Sequence, residues 1–152
     1  MKTNQNRENL TLVLALSRSY QQFMRTLTPL FKQADLTPSQ WDILETLSNK
    51  GAMSVNDLLS ALLSTSGNLD VVIKNLIKAE LVEKTVDVED RRSRVISLTD
   101  KGKDKVESFY PIHNKALEAI FQQLSSNNKQ LLIKNLNQLR KKMSLLDEVF
   151  IN

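Results

Sequence analysis

Hydrophobic residues recur at helical spacing along most of the chain. Near the start they alternate in steps of three and four and form one seam: Val13, Leu16, Tyr20, Phe23, Leu27 and Leu30. Near the end the same spacing returns, with basic residues on the other faces: Leu132, Leu136, Leu139, Met143, Leu146 and Phe150. Such seams usually face another helix. They either pack within their own domain or interlock with a second copy, and the length of these terminal helices favours the dimer.

Short helices with clear boundaries are predicted between these ends. Thr37 as N-cap, Pro38 at the first helical position and Gln40 completing a capping box predict the start of one helix. That helix is expected to end near Gly51, where glycine permits a left-handed cap. Ser54 precedes the next helix, which is only two to three turns long by its apolar stripe.

A third helix of the middle region has one buried and one polar face. A polar string leads into it: Ser64, Thr65, Ser66, Gly67 and Asn68. Its apolar face comprises Leu69, Val72, Ile73 and Leu76, and its outer face Asp70, Val71, Lys74, Asn75 and Lys78. Free N–H groups at a helix start attract phosphate, and one helix fits the major groove of DNA. The pattern therefore fits the recognition helix of a helix-turn-helix, and taken alone it fits an ordinary amphipathic surface helix equally well.

Two short runs after this helix predict a β-hairpin. Residues 81–86 and 94–98 favour strands, and a charged segment joins them. Because a two-stranded hairpin is marginal alone, it should lean on the helices, which makes the unit a winged helix. Arginines at its tip suit a DNA backbone or a narrow minor groove, with an aspartate to orient them: Arg91, Arg92, Arg94 and Asp90. The alternative is a solvated turn whose charges cancel.

The amino-acid composition limits which kinds of catalytic and metal site the chain can form. The chain has 152 residues, of which 41% are hydrophobic and 25% charged, as expected of one globular domain over 1–152. Its net charge of +4 favours a polyanionic partner without requiring one. With no cysteine and His113 as the only histidine, thiol chemistry and a tetrahedral zinc site are excluded. Catalytic glycine motifs are absent, so we predict no enzyme activity, no metal and no cofactor.

No membrane segment is expected. The apolar run 10–16 imitates a short signal peptide, but Glu8 precedes it and Arg18 follows it. No stretch approaches eighteen consecutive apolar residues. We therefore expect a cytoplasmic protein without a membrane partner.

Several motifs together resemble one family. They are Ser66-Gly67-Asn68-Leu69, Leu76, Leu81-Val82, Asp87, Asp90-Arg91-Arg92 and Ser97-Leu98-Thr99-x-x-Gly102. In this pattern and in its layout over nearly the full chain, the sequence resembles the MarR (multiple antibiotic resistance) family of winged-helix regulators. The resemblance implies a mainly α fold with a small β-hairpin. A winged helix-turn-helix would span about 37–99, between dimerisation helices at about 1–34 and 100–152. It also implies a homodimer that binds a palindromic operator in double-stranded DNA, as a repressor of transcription.

The resemblance also implies residue roles. Ser64, Thr65, Ser66 and Asn68 match recognition-helix positions near bases and phosphates, and Arg92 matches the wing arginine, supported by Asp90 and Arg91. The DNA-binding set is completed by Lys74, Asn75, Lys78 and Arg94. This sequence departs from the family at Asp70, where relatives often have threonine, and at Asn75, where many have arginine or lysine.

Relatives often respond to small aromatic acids or to oxidants, and the lack of cysteine excludes a thiol sensor. A ligand cavity where the helical bundle meets the winged helix would lie near Tyr20, Met24, Trp41, Phe109 and His113, although such residues are more often core. We expect Pro111 to kink or interrupt its helix. The alternative function is a winged-helix adaptor that binds proteins, not a specific DNA sequence.

Overall fold

α-Helices make up most of the chain, as predicted. The computed structural model describes residues 4–62, 66–86 and 94–150. Its elements are α1 Asn4–Gln33, α2 Pro38–Lys50, β1 Met53–Ser54, α3 Val55–Leu62, α4 Ser66–Lys78, β2 Val82–Val86, β3 Arg94–Leu98, α5 Asp100–Phe121 and α6 Ser126–Phe150. They form two compact units, Met1–His113 and Asn114–Asn152. Among the described residues, no helix is both long and apolar enough to span a membrane.

Helix α2 begins and ends as the sequence predicts. The Gln40 N–H donates to Thr37 Oγ1 at 3.2 Å, and the Thr37 N–H donates to Gln40 Oε1 at 2.8 Å, which completes the capping box. At the other end Gly51 has φ 81°, and its N–H donates to the Leu47 carbonyl at 2.9 Å. An N-cap of this kind stabilises a protein by about 1 kcal/mol.

The predicted hairpin is present and carries an additional strand. β2 and β3 are antiparallel, with Val82 opposite Leu98 and Val86 opposite Arg94. β1 pairs with the other edge of β3, with Met53 opposite Ile96, so the order is β1-β3-β2. β1 was not predicted from the sequence, because a strand of two residues is too short to show an alternating pattern.

The core of the first unit lies between α2, α3, α4 and the sheet. Its most enclosed side chains are each at most 1% exposed: Trp41, Ile43, Leu44, Leu58, Leu76 and Ile96. They come from four different elements, α2, α3, α4 and β3, so this core packs the elements of the winged helix together.

An aromatic cluster joins α1, α2 and α5 within the first unit. Trp41 packs edge-on against Phe109, with ring centroids 4.9 Å apart, and lies 5.2 Å from the ring of His113. Phe31 of α1 packs against the same two residues at 5.5 and 5.8 Å. Burial lowers the pKa of His113, and the nearby charge of Asp42 opposes that shift. The buried imidazole is therefore held in its neutral form near neutral pH.

The two terminal seams are largely uncovered in a single chain. In α1 the seam divides: Leu27 is buried, whereas Val13 and Tyr20 are 61% and 66% exposed. In α6, Leu132 and Leu136 are 46% and 40% exposed. Exposed apolar seams of this length usually mark a contact surface.

Helix α5 is not interrupted at Pro111, so the expected alternative of an interruption was wrong, while the expected kink stays a prediction. It runs unbroken from Asp100 to Phe121. Proline removes one backbone hydrogen bond from a helix. The buried residues Phe109 and His113 flank Pro111, and their rings pack in the aromatic cluster.

Candidate nucleic-acid interface

α3 and α4 are the two helices of the predicted helix-turn-helix. Ser54 caps α3, since its Oγ accepts the Asp57 N–H at 3.1 Å and donates to Asp57 Oδ2 at 2.7 Å. Leu58, fully buried, anchors this short helix to the core. Residues 63–65 lie outside the described residues, and α4 begins directly after them at Ser66. The predicted site residues Ser64 and Thr65 therefore lie outside the described part, as does the side chain of Ser66.

The two faces of α4 are arranged as predicted. Leu69, Ile73 and Leu76 are 2%, 5% and 0% exposed and hold the helix on the core. The predicted residues Asn68, Lys74, Asn75 and Lys78 are all exposed, together with Asp70 and Val71. The structure thus brings four candidate residues of α4 to one solvent-facing surface.

At its C-terminus α4 ends in a well-defined cap that was not predicted from the sequence. The Leu81 N–H donates to the Leu76 carbonyl at 3.0 Å, and the Glu80 N–H donates to the Ile77 carbonyl at 2.9 Å. Glu80 has a φ of 61°. This is a Schellman motif, in which a residue other than glycine adopts the left-handed conformation.

Helix α1 ends in the same way. The Leu36 N–H donates to the Phe31 carbonyl at 2.9 Å, the Asp35 N–H to the Lys32 carbonyl at 3.1 Å, and Asp35 has a φ of 52°. A repeated Ala-acid-Leu pattern accompanies both ends, at 34–36 and 79–81. This repeated pattern is a sequence signal from which both helix ends could have been predicted.

Helix α5 anchors both caps through two lysines one turn apart. Lys101 Nζ donates to the Ala79 carbonyl at 2.8 Å, and Lys105 Nζ donates to the Ala34 carbonyl at 3.1 Å. Cations are favourable at helix C-termini because the carbonyl ends carry partial negative charge. These lysines therefore hold the ends of α1 and α4 against α5.

Backbone contact reinforces this arrangement at the end of α4. Thr99 Oγ1 donates to the Glu80 carbonyl at 2.6 Å, and the Thr99 N–H donates to the Leu81 carbonyl at 3.2 Å. A Cβ built on Gly102 would collide with that Leu81 carbonyl oxygen. Glycine at this position thus lets the first turn of α5 lie directly on the turn between α4 and β2. This accounts physically for the Leu98-Thr99-x-x-Gly102 motif. We call Thr99, Lys101 and Gly102 the α5 anchor.

The wing is described only in its strands. Arg94 is the first residue of β3, is exposed and stands opposite Val86. Asp90, Arg91 and Arg92 lie outside the described residues.

The candidate ligand residues come together only in part. Trp41, Phe109 and His113 are in mutual contact in the aromatic cluster. Met24 is half-buried, and Tyr20 lies eleven residues before Phe31 on α1, about 16 Å along the helix axis. Among the described residues, no acceptor lies within hydrogen-bonding distance of the buried Trp41 Nε1.

Comparisons with known proteins identify the family. The MarR family model matches residues 36–93, from just before α2 to the residue before β3. The solved structure of a MepR-like protein complexed with pseudoligands is 30% identical, with a TM-score of 0.70, over 88% of this chain and 94% of that chain. This chain belongs to the MarR family.

Two further comparisons agree with the MarR assignment. The uncharacterized HTH-type transcriptional regulator YkoM of Bacillus subtilis is 32% identical over 102 residues, which are 67% of this chain and 66% of YkoM. The structure of the S. aureus MepR–DNA complex is 25% identical, with a TM-score of 0.72, over 86% of this chain and 94% of that chain. The resemblance inferred from the sequence is confirmed: the chain is a MarR-family transcriptional regulator and not an enzyme.

The α5 anchor generates a stability prediction. Gly102→Ala should destabilise the protein by about 1–3 kcal/mol, because the new methyl must displace the turn between α4 and β2. The free energy of unfolding is measured by urea denaturation. Gly67→Ala is the matched control: a Cβ there meets no described atom within 4 Å, so this variant should be as stable as the wild type or more so. Equal stability of all three proteins would contradict the anchor.

Proposed function

We propose that this MarR-family protein is a homodimeric repressor that binds a palindromic operator. Each subunit inserts its α4 into the major groove, and two-fold symmetry sets the half-sites about 10–10.5 bp apart or a multiple of that distance. In this proposal residues 37–99 form the DNA-binding module, and 1–34 with 100–152 supply the dimer interface. The observation that carries the proposal is the exposed polar face of α4, a helix whose C-terminal cap is hydrogen-bonded by Thr99 and Lys101.

Charge supports a duplex as the partner. Lys74 and Lys78 are four residues apart and share the exposed side of α4. Their ammonium groups suit phosphates, while the amides of Asn68 and Asn75 suit base edges. Asp70 is the one acidic residue on this face of α4 and repels phosphate, so its carboxylate is better placed toward a base edge. In the proposal Arg91, Arg92 and Arg94 of the wing follow the backbone, oriented by Asp90.

DNA binding should respond to salt. Each lysine that contacts a phosphate releases counterions, and the dimer carries two copies of Lys78. Lys78→Ala should therefore weaken binding to all duplexes and make the slope of log K against log salt shallower by about 2. Fluorescence anisotropy with a labelled operator fragment, titrated at several salt concentrations, measures both. Lys134→Ala removes an equal charge from α6 and should leave the slope unchanged.

The adaptor alternative predicts the opposite outcome. A protein-binding winged helix anchored by apolar residues would show little dependence on salt and no retention of duplex. Absence of duplex binding at low salt would therefore overturn the proposed function and favour the adaptor.

The uncovered seams support the dimer. Val13 and Tyr20 of α1 and Leu132 and Leu136 of α6 expose large apolar surfaces in the single chain. A second copy that covers both seams would bury them in a symmetric interface. Since a palindrome presents two half-sites, operator affinity then depends on the dimer.

A charge in the α6 seam should separate the subunits. Leu136→Glu places a carboxylate in the apolar contact and should yield monomers by sedimentation velocity, with greatly weakened operator binding. Asn137→Glu adds the same charge one residue away on an exposed position and should remain dimeric. A Leu136→Glu protein that is monomeric and fully active would contradict the dimer.

The aromatic cluster supports a small aromatic acid as an effector that relieves DNA binding. Trp41 offers a buried N–H donor without an acceptor among the described residues, next to the neutral imidazole of His113. Buried donors usually have partners, so an unpaired one favours a ligand that brings an acceptor. An aromatic acid combines a ring, which suits the aromatic cluster, with a carboxylate, which can accept the hydrogen bond of the Trp41 N–H.

Benzoate tests this proposal, with the non-aromatic cyclohexanecarboxylate as its matched control. Benzoate should raise the melting temperature of the wild type, because a ligand of the native state at one hundred times its Kd adds about 2.7 kcal/mol. Trp41→Phe keeps an aromatic side chain, although a smaller one, and removes the donor, so its shift, measured against its own ligand-free melting temperature, should be mostly lost. Equal shifts with both acids, or in both proteins, would contradict a specific site.

A further inference from the structure

The outward stripe of α4 is chemically divided along its length. Gly67, Val71, Lys74 and Lys78 are separated by four, three and four residues, so they share the face opposite the buried residues of the helix. The C-terminal half of the stripe carries two ammonium groups. The N-terminal half, Gly67 and Val71, carries no hydrogen-bonding side chain at all.

Val71 is unusually open for a residue of its kind. It is 57% exposed, although Leu69 and Ile73 on either side are buried. A single exposed valine needs no explanation by itself. Here, however, it occupies the centre of the surface proposed to contact DNA, where a polar residue would be expected to make hydrogen bonds.

Neither the backbone conformation of Gly67 nor packing against the described residues requires glycine at this position. Its φ lies outside the left-handed region, and a Cβ there would meet no described atom within 4 Å. Glycine weakens a helix by comparison with alanine, so the position loses stability without a gain in packing among the described residues. What glycine does provide is a close approach of the helix backbone to an external surface.

The major groove offers one apolar group to such a surface. Each base pair presents donors and acceptors there, and only thymine adds a methyl group, at C5. N-terminal residues of a recognition helix contact base edges, and the Gly67–Val71 half is the N-terminal half of the stripe. Lys74 and Lys78 then lie farther along the helix, toward the phosphates.

We infer that Val71 is a specificity-determining residue that contacts a thymine methyl in each half-site, with Gly67 permitting the close approach. This inference rests on the proposed DNA-binding function and deepens it. It predicts that one position in each half-site is thymine and is selected through its methyl group. Asp70 and Asn75, which flank the stripe, contact other positions.

Deoxyuridine tests the contact directly, because it differs from thymidine only by the missing methyl. A preferred site is first selected from a random duplex pool with the full-length protein. Each thymine of that site is then replaced in turn by deoxyuridine. For the wild type, replacement in a single half-site should reduce affinity about fourfold, and replacement in both half-sites about fifteenfold.

Val71→Ala should bind the selected site more weakly and show no further loss with deoxyuridine at the critical position. Ile77→Ala is the matched control, since Ile77 is also an exposed apolar residue of α4 but lies off the stripe. Its sensitivity to deoxyuridine should equal that of the wild type. Gly67→Ala should lose affinity while retaining its stability. Melting temperatures of all variants establish that each is folded.

The outcomes separate this inference from the proposed function. If no duplex is retained from the pool, DNA binding itself fails. If a site is selected but the wild type is indifferent to every deoxyuridine replacement, or if Val71→Ala keeps the wild-type sensitivity, the methyl contact is overturned while DNA binding stands.

Discussion

The approach of α5 to the end of α4 is the constraint on which the interface depends. At Gly102 the backbone of α5 lies so close to the Leu81 carbonyl that any side chain would collide with it. Thr99 and Lys101 add hydrogen bonds to the last carbonyls of the α4 cap. A recognition helix must present its side chains to base edges with small positional error. The α5 anchor contacts the C-terminal end of α4, the helix proposed for this role, through the backbone at Gly102 and the hydrogen bonds of Thr99 and Lys101.

The same helix connects the interface to the rest of the first unit. Lys105 donates a hydrogen bond to the end of α1, and Lys101 donates one to the end of α4. The two lysines are one turn apart on α5. Farther along, Phe109 and His113 contribute to the aromatic cluster with Trp41. A ligand that displaced a ring of this cluster would act on the helix that fixes α4. Packed elements of this kind transmit shifts because they do not deform continuously.

Features set by neighbouring residues could be predicted from the sequence. The capping box at Thr37, the buried stripe of α4 around Ile73 and the paired strands of the wing all arise from local patterns. Features set by distant partners could not. β1 exists because β3 offers it an edge, and the lysine contacts to Ala34 and Ala79 join residues far apart in sequence. Proline disfavours a helix interior, yet α5 continues through Pro111, so the local signal alone did not predict the extent of this helix. The exposure of the candidate residues of α4 could be predicted from helical periodicity. The grouping of the candidate ligand residues could not, because it depends on tertiary contacts. Trp41 and His113 are in contact, whereas Tyr20 lies about 16 Å along α1 from Phe31 of the same cluster.

The central claim is that two α4 helices occupy equivalent positions on one duplex. Because the chain has no cysteine, an Ile77→Cys variant carries a single reactive thiol at an exposed position of α4 that lies off the stripe proposed to contact bases. An iron chelate attached to that thiol cleaves the DNA that lies beside it. The account predicts two groups of cuts on a bound fragment, related by two-fold symmetry and about one helical turn, 10–10.5 bp, or a multiple of it apart. A single group of cuts, or cuts scattered along a fragment that remains bound, would contradict it.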